Sequence, residues 1–173
     1  MNHILMTWNP GRANNATWDP IQFEDTLVAP FLEGKTRRTR WIVGRHHNNI
    51  GPGDSAFLYR QGECGRGIVA HGIIRSHPKP GKHWAKKGKT ANYVYIDWDE
   101  AVPVDLAFDV DDLEKAVPGF AWKQVYGSGR RVPDGDGDKL EKAWRRYIRL
   151  SQTRKQAERS ISRRPRSHRA GRG

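Results

Sequence analysis

The chain has 173 residues, which fits one ordinary domain, and its single cysteine, Cys64, excludes an intramolecular disulfide and a cysteine-based zinc site within the chain. No apolar run approaches the roughly 20 residues that span a bilayer, so we expect a cytoplasmic protein without a membrane partner. The formal net charge is +12, and residues 151–173 hold eight lysines and arginines against one acid, which predicts a domain over residues 1–150 followed by a basic, disordered tail over residues 151–173.

The N-terminal region predicts a buried strand followed by a helix. Residues 3–8 form a short apolar run that is typical of a buried strand. Asp19 and Pro20 predict a helix start, because aspartate is a favoured N-cap and proline fits the first helical position. We expect this helix to end at Pro30 and Gly34. Its predicted apolar side comprises Ile21, Phe23, Leu27 and Val28.

The middle of the chain predicts short strands separated by turns. Gly51–Asp54 has the composition of a tight turn, and residues 92–98 alternate in polarity as a half-buried antiparallel strand does. A short helix is predicted over residues 110–117. The predicted strands of this region cover residues 41–43, 55–60, 68–74 and 92–98.

The clearest predicted helix is the last one. Asp138 and Glu141 form a capping-box pattern, which predicts a helix that begins at Asp138. Together the elements predict an α+β fold, a PUA-like small and partly open β-barrel of about five to six strands in meander order with flanking helices. The residues that keep the spacing of one buried helix face are Leu140, Ala143, Trp144, Tyr147 and Ile148.

Motifs of catalysis and metal binding are incomplete in this sequence. Residues 134–138 begin like a calcium loop, but Lys139 stands at its sixth position and Arg145 at its twelfth, so the ion cage cannot close. His46 and His47 are adjacent, and on an extended segment they point to opposite faces. We therefore expect no catalytic residue, no metal and no cofactor.

Two of the seven tryptophans lie among basic residues, and this pattern favours nucleic-acid binding. Aromatic faces stack on bases, while lysine and arginine hold the phosphates. Trp41 follows an arginine run, and Trp84 lies in a lysine-rich loop, whereas Trp98 and Trp144 fit the core. The predicted phosphate-binding residues are Arg37, Arg38, Arg40, Arg45, Lys82, Lys86 and Lys87, with Arg130 and Arg131 as additions.

A family resemblance extends over residues 1–150. The sequence is similar to EVE domains, which are PUA-like barrels related to the YTH readers, and in particular to the EVE modules of modification-dependent HNH restriction systems. The sequence departs from those modules in one respect, because no HNH motif follows these residues. The segments that carry the resemblance are Trp8-Asn9-Pro10, Arg40-Trp41, Ile50–Asp54, Phe57–Arg60, Gly67–Gly72 and Trp84.

The resemblance implies a reader that flips one modified base into an aromatic cage. Trp41 and Trp84 match the two cage walls, and Asn9 matches the residue that contacts the base edge. YTH readers have serine after the cage tryptophan, where this chain has Ile42, so 5-methylcytosine or a related modified cytosine is expected rather than N6-methyladenine. Further residues that match lining positions are Trp8, Tyr59 and Arg60.

Three other functions fit the same residues. The first is an RNA-binding, YTH-like module, because charge alone does not separate the two polymers. The second is the specificity subunit or a fragment of a modification-dependent restriction endonuclease, whose nuclease would reside on a partner chain. The third is a protein-interaction domain, which salt-insensitive or absent nucleic-acid binding would favour.

Overall fold

The computed structural model describes residues 1–11, 18–44, 47–62 and 65–162, with side chains described as far as Thr153. Arg45, His46, Cys64 and residues 163–173 therefore lie outside the described residues.

The described strands form one mixed sheet. Its order is β2-β6-β4-β3-β1-β8, with β5 paired to β6 and β7 paired to β4. Only β1 and β3 are parallel, in the register His3 with Ser55. The strands are β1 (His3–Trp8), β2 (Arg37–Val43), β3 (Ser55–Arg60), β4 (Gly67–Ile74), β5 (Lys79–Lys82), β6 (Thr90–Ala101), β7 (Phe108–Asp109) and β8 (Arg130–Val132).

The predicted strands are confirmed, and the sheet is an open α+β barrel. Residues 3–8 and 55–60 are strands with the predicted bounds, whereas the predicted runs at 41–43 and 92–98 are parts of the longer β2 and β6. The predicted meander order is wrong at β1 and β2. The chain crosses over after β1, so β1 pairs parallel with β3 and β2 lies beyond β6, as parallel pairing requires a long connection.

Residues 20–32 form one helical segment on one face of the sheet. It consists of α1 (Pro20–Phe23), a π-helical turn (Glu24–Val28) and α2 (Ala29–Leu32). Asp19 caps it as predicted, since its Oδ1 accepts the N–H of Gln22 at 2.8 Å. Ile21 is not on the buried side, because Phe23 sets that face and Ile21 lies about 200° around the helix from it.

Pro30 does not end this helix. A proline inside a helix removes one hydrogen bond and crowds the carbonyl four residues earlier. The wider π-helical turn directly before α2 changes that spacing, and the helix continues to Leu32. Glu33 is its C-cap, and Gly34 follows with a φ of 72°, a conformation that glycine adopts at little cost.

Two further helices complete the fold, α3 (Val110–Ala116) and α4 (Asp134–Ser162). The predicted start of the last helix is wrong, because residues 134–138 form its first turn rather than a loop before it. Its predicted buried face is confirmed: Leu140, Trp144 and Ile148 are buried. The helix continues beyond residue 150, where the sequence predicts a tail. No helix in the described part of the chain is both long and apolar enough to cross a membrane.

Candidate functional site

The barrel has a seam between β1 and β2, which the loop before β8 bridges. Gly44 N–H donates to the carbonyl oxygen of Ser128 at 2.9 Å, and Thr7 N–H donates to the hydroxyl oxygen of Ser128 at 2.9 Å. A Cβ atom at Gly44 would lie 2.7 Å from the Ser128 carbonyl oxygen. The seam therefore requires glycine at residue 44, and it fixes Ser128 between the ends of two strands.

A cavity of about 210 Å³ opens at this seam. Drug-sized ligands occupy pockets of roughly 300–1,000 Å³, so this cavity suits a smaller group such as one planar ring. Its lining combines strand ends with one loop tryptophan. The lining residues are Thr7, Trp8, Asn9, Ile42, Val43, Gly44, Trp84 and Ser128.

Trp84 is held at this cavity with much of its indole in solvent. The side chain is 44% exposed, although it belongs to a large apolar residue. Its backbone N–H donates to the Tyr93 hydroxyl at 3.0 Å, and that hydroxyl donates to the Lys82 carbonyl at 2.9 Å. His83 Nδ1 accepts the N–H groups of Ala85 and Lys86, each at 3.1 Å. The loop is therefore ordered around an exposed aromatic face.

Asn9 follows β1 directly and supplies an amide group to the cavity lining. Its Oδ1 accepts the N–H of Gly11 at 3.1 Å. A Cβ atom at Gly62 would lie 2.8 Å from the same oxygen, so the neighbouring loop packs closely against this amide. None of the described residues accepts a hydrogen bond from Asn9 Nδ2. That nitrogen can therefore donate to a ligand.

Trp8 lies beneath the cavity. It is 2% exposed, and its ring stacks on Phe23 with 4.7 Å between centroids. Its Nε1 donates to the carbonyl oxygen of Trp18 at 2.8 Å. Trp8 lines the cavity at its floor, and its packing leaves the faces of its ring covered.

Trp41, predicted as a cage wall, lies in the core instead. Its side chain is 2% exposed, with Trp98 edge-on at 5.9 Å and Trp18 tilted against it at 5.1 Å. The two residues that follow it in β2, Ile42 and Val43, line the cavity, whereas Trp41 does not. Trp41 Nε1 is buried without a hydrogen-bond partner among the described residues.

Tyr59 and Arg60 also lie away from the cavity, because β3 is a central strand of the sheet. The Tyr59 hydroxyl donates to the Trp122 carbonyl oxygen at 2.9 Å, and burial raises the pKa of Tyr59 to about 12. The Arg60 guanidinium donates to the carbonyl oxygens of Gly65 and Val104. Both side chains therefore form hydrogen bonds that connect β3 to the backbone of other segments.

The predicted phosphate-binding residues divide into two groups. Arg37, Lys82, Lys86 and Lys87 are exposed and form no ion pair with any described residue. Arg40 is also exposed, and its guanidinium lies 4.3 Å from the centre of the Tyr93 ring. The Tyr93 hydroxyl also accepts the backbone N–H of Trp84, so Arg40 and Trp84 both contact Tyr93.

The other predicted cations are engaged within the protein. Arg38 donates to both carboxylate oxygens of Asp97, at 2.6 and 2.8 Å, and this hydrogen bonding lowers the pKa of the Asp97 carboxyl. Arg131 pairs with Asp134, and the Arg130 guanidinium lies 4.7 Å from the centre of the Phe120 ring. These three arginines have less freedom to hold phosphates than the first group.

Sequence reasoning missed part of the cavity lining. Gly127-Ser128-Gly129 was visible only as a glycine-rich triplet, and the pairing of β1 with β3, which creates the seam, is a long-range feature. Tyr126, which is 76% exposed and two residues before Ser128, also had no sequence signal. The missed lining residues are Thr7, Ile42, Val43, Gly44 and Ser128.

Comparisons with known proteins give a likeness in fold. No protein-family model and no curated protein matches the sequence. A hypothetical protein from Leishmania major matches with a TM-score of 0.54 and 12% identity over 90% of this chain and 97% of that chain. The Mmi1 YTH domain in complex with RNA matches with a TM-score of 0.52 and 10% identity, over 89% of this chain and 81% of that chain.

Human THYN1 in complex with DNA that contains 5-methylcytosine matches with a TM-score of 0.50 and 16% identity, over 81% of this chain and 95% of that chain. At these identities the likeness concerns the fold. The open barrel described above therefore has a PUA-like fold, similar to that of the YTH domain.

Proposed function

We propose that the chain is a non-catalytic, EVE-type nucleic-acid reader that captures one modified base in the cavity at the β1–β2 seam. The observation that carries the proposal is Trp84, an exposed indole on an ordered, lysine-rich loop beside a cavity of about 210 Å³. Base stacking on an aromatic side chain contributes roughly 1–3 kcal/mol. Extruding a base costs a few kcal/mol, so stacking needs further contacts to offset it.

Five of the cavity residues have a role in this proposal. The base stacks on Trp84, and Asn9 Nδ2 donates to an acceptor on its Watson–Crick edge. Ile42 and Val43 provide the apolar contact for a modifying group, while Trp8 closes the floor. Trp41 acts through Trp18 and Trp98 as a positioning residue of the core rather than as a stacking surface.

The cations of the first group hold the flanking phosphates. Arg37, Arg40, Lys82, Lys86 and Lys87 carry this part of the proposal, because their charges are exposed. Phosphate contacts give affinity that falls with salt, whereas contacts inside the cavity give base preference.

We favour a modified cytosine in DNA as the base. The apolar residues Ile42 and Val43 line the cavity, and cytosine offers two acceptors, N3 and O2, to an amide donor. The likeness to THYN1 bound to 5-methylcytosine DNA supports this choice. One buried methyl contributes only about 0.8 kcal/mol, so preference for a methylated base depends on how poorly the unmodified base fills the cavity.

An RNA reader is the second candidate, and the likeness to the Mmi1 YTH domain bound to RNA favours it. In either case a nuclease, as in restriction systems, would act from a partner chain.

The test is a fluorescence-anisotropy titration of the full chain against matched duplexes at two salt concentrations. The duplexes carry cytosine, 5-methylcytosine, 5-hydroxymethylcytosine or N6-methyladenine, with RNA equivalents. We expect preference for a modified-cytosine duplex that persists at the higher salt. Equal binding to all of them, lost together at higher salt, would reduce the protein to a phosphate-binding domain and overturn the proposal.

A further inference from the structure

A β-bulge in β6 places two consecutive acids on one histidine. In the β4–β6 ladder His71 pairs with Glu100 and Gly72 pairs with Trp98, so Asp99 has no partner opposite it. Consecutive strand residues normally point to opposite faces, and a bulge re-aims one of them. Asp99 Oδ1 lies 2.8 Å and Glu100 Oε2 lies 3.9 Å from the same ring nitrogen, His71 Nδ1.

A third carboxylate approaches the other edge of this imidazole. Glu141, on α4, places Oε2 3.7 Å from His71 Nε2. The Ser55 hydroxyl lies 3.4 Å from the same nitrogen. One imidazole therefore meets three carboxylates, and one of them, Glu141, also pairs with Arg145, whose Nη2 lies 3.0 Å from Glu141 Oε1.

A second histidine beside this cluster lacks a hydrogen-bond partner. His3 is 2% exposed, and neither of its ring nitrogens forms a hydrogen bond with a described residue. Its Nε2 lies 3.8 Å from Glu141 Oε2. A buried polar group without a partner is rare in folded proteins, and here it faces the carboxylate that also approaches His71.

We propose that His71, Asp99 and Glu100 bind one divalent metal ion of the Zn²⁺ or Mn²⁺ type at the Nδ1 edge of the imidazole. The ligand atoms of the first three residues lie within 4.8 Å of one another. Metal–ligand bonds of roughly 2.0–2.2 Å bring such atoms around one ion. The ion takes the place of the proton that His71 Nδ1 and Asp99 Oδ1 share, and a mixed nitrogen and oxygen ligand set suits these metals.

The surroundings support this assignment. Trp144 Nε1 donates to Glu100 Oε2 at 2.6 Å, which orients the carboxylate as outer groups do in metal sites. A cavity of about 250 Å³ borders the cluster and gives an ion access. The cluster borders a cavity that shares no lining residue with the cavity at the β1–β2 seam. It is therefore separate from the base cavity and does not depend on the proposed function.

The experiment uses metal-depleted full-length protein and ZnCl₂, MnCl₂ or MgCl₂ alone. Calorimetric titration and thermal unfolding are measured for the wild type, for Asp99→Asn, which keeps the side-chain volume, and for His71→Gln. His77→Ala, an exposed histidine outside the cluster, is the control for surface binding of zinc. We expect one Zn²⁺ or Mn²⁺ per chain with a rise in Tm, weaker Mg²⁺ binding, and at least a tenfold loss of affinity in Asp99→Asn and His71→Gln but not in His77→Ala.

Absence of binding overturns the proposal. So does equal Zn²⁺ affinity of the wild type and Asp99→Asn, since the ion would then bind elsewhere. If His71→Gln fails to fold, the isosteric Asp99→Asn variant still decides the outcome.

Discussion

Trp41 and Trp84 have similar neighbours in the sequence and opposite positions in the fold. Arginines precede Trp41 and lysines surround Trp84, yet Trp41 is 2% exposed and Trp84 is 44% exposed. The difference comes from backbone structure. Trp41 lies within β2, where alternation turns it to the core and Arg40 to solvent, whereas Trp84 lies in a loop between β5 and β6. Basic neighbours therefore identify a surface but do not say which aromatic ring reaches it.

The largest expected effect is the loss of stability on replacing Trp41, because Trp41 is a core residue and Trp84 is not. Trp41→Ala should lower the free energy of unfolding by about 3–5 kcal/mol, because it leaves a cavity between Trp18 and Trp98. Trp84→Ala should change it little, since the ring is exposed. Urea unfolding followed by circular dichroism measures both. Equal losses in the two variants would contradict the assigned positions.

Trp84 should dominate binding instead. Trp84→Ala should weaken binding of a modified-cytosine duplex by about 1–3 kcal/mol, or roughly 5- to 150-fold, through loss of stacking. Trp84→Phe should restore part of the affinity, because it retains an aromatic face. Leu106→Ala, at an exposed apolar residue that does not line the cavity, is the control in the anisotropy titration. Unchanged affinity of Trp84→Ala in folded protein would remove the stacking role.

The seam should be sensitive to one added methyl group. Gly44→Ala places a Cβ atom 2.7 Å from the Ser128 carbonyl oxygen, so the seam must shift. We expect a loss of about 1–3 kcal/mol in stability, together with weaker base binding. Gly127→Ala, with no atom within 4 Å of its Cβ, is the matched control for thermal unfolding and affinity. If both variants behave alike, the seam does not shape the cavity.

The two groups of cations should differ in salt dependence. Lys87→Ala should reduce the slope of log affinity against log salt by about 0.9, as expected for one phosphate contact on duplex DNA. Arg131→Ala should leave the slope nearly unchanged, because Asp134 already pairs with Arg131. Titrations at four salt concentrations measure the slopes. A larger change in Arg131→Ala would reverse the assignment of the two groups.

The smallest expected effect is a change in the pH dependence of stability at Tyr59, a residue that lies away from the cavity. Because its pKa is raised to about 12, the stability that its neutral form contributes is present below about pH 10 and is lost as pH rises through 12. Tyr59→Phe should therefore lose Tm less steeply between pH 10 and 12 than the wild type, and base affinity at neutral pH should not change. A loss of base affinity in Tyr59→Phe would contradict the position of Tyr59 away from the cavity.

The sequence was informative wherever local chemistry decides structure. Polarity patterns predicted β1 and β3, the Asp19 cap and the buried face of α4, because each depends on residues close in the chain. The resemblance to EVE domains suggested Asn9 and Trp84, which the fold places at one cavity, and their roles in base binding stay predictions. The parallel pairing of β1 with β3, the helix that continues through Pro30 and the approach of Ser128 to β2 depend on long-range packing. The seam and most of the cavity lining were therefore not predictable.

The most direct test compares the ratio of affinities for 5-methylcytosine and unmodified duplexes in Trp84→Ala and Lys87→Ala, measured by anisotropy against the wild type. If the seam cavity reads the base, Trp84→Ala should bring the ratio close to one, whereas Lys87→Ala should weaken both affinities and keep the wild-type ratio. A ratio that Trp84→Ala leaves intact would contradict the account, because base preference would then arise outside this cavity.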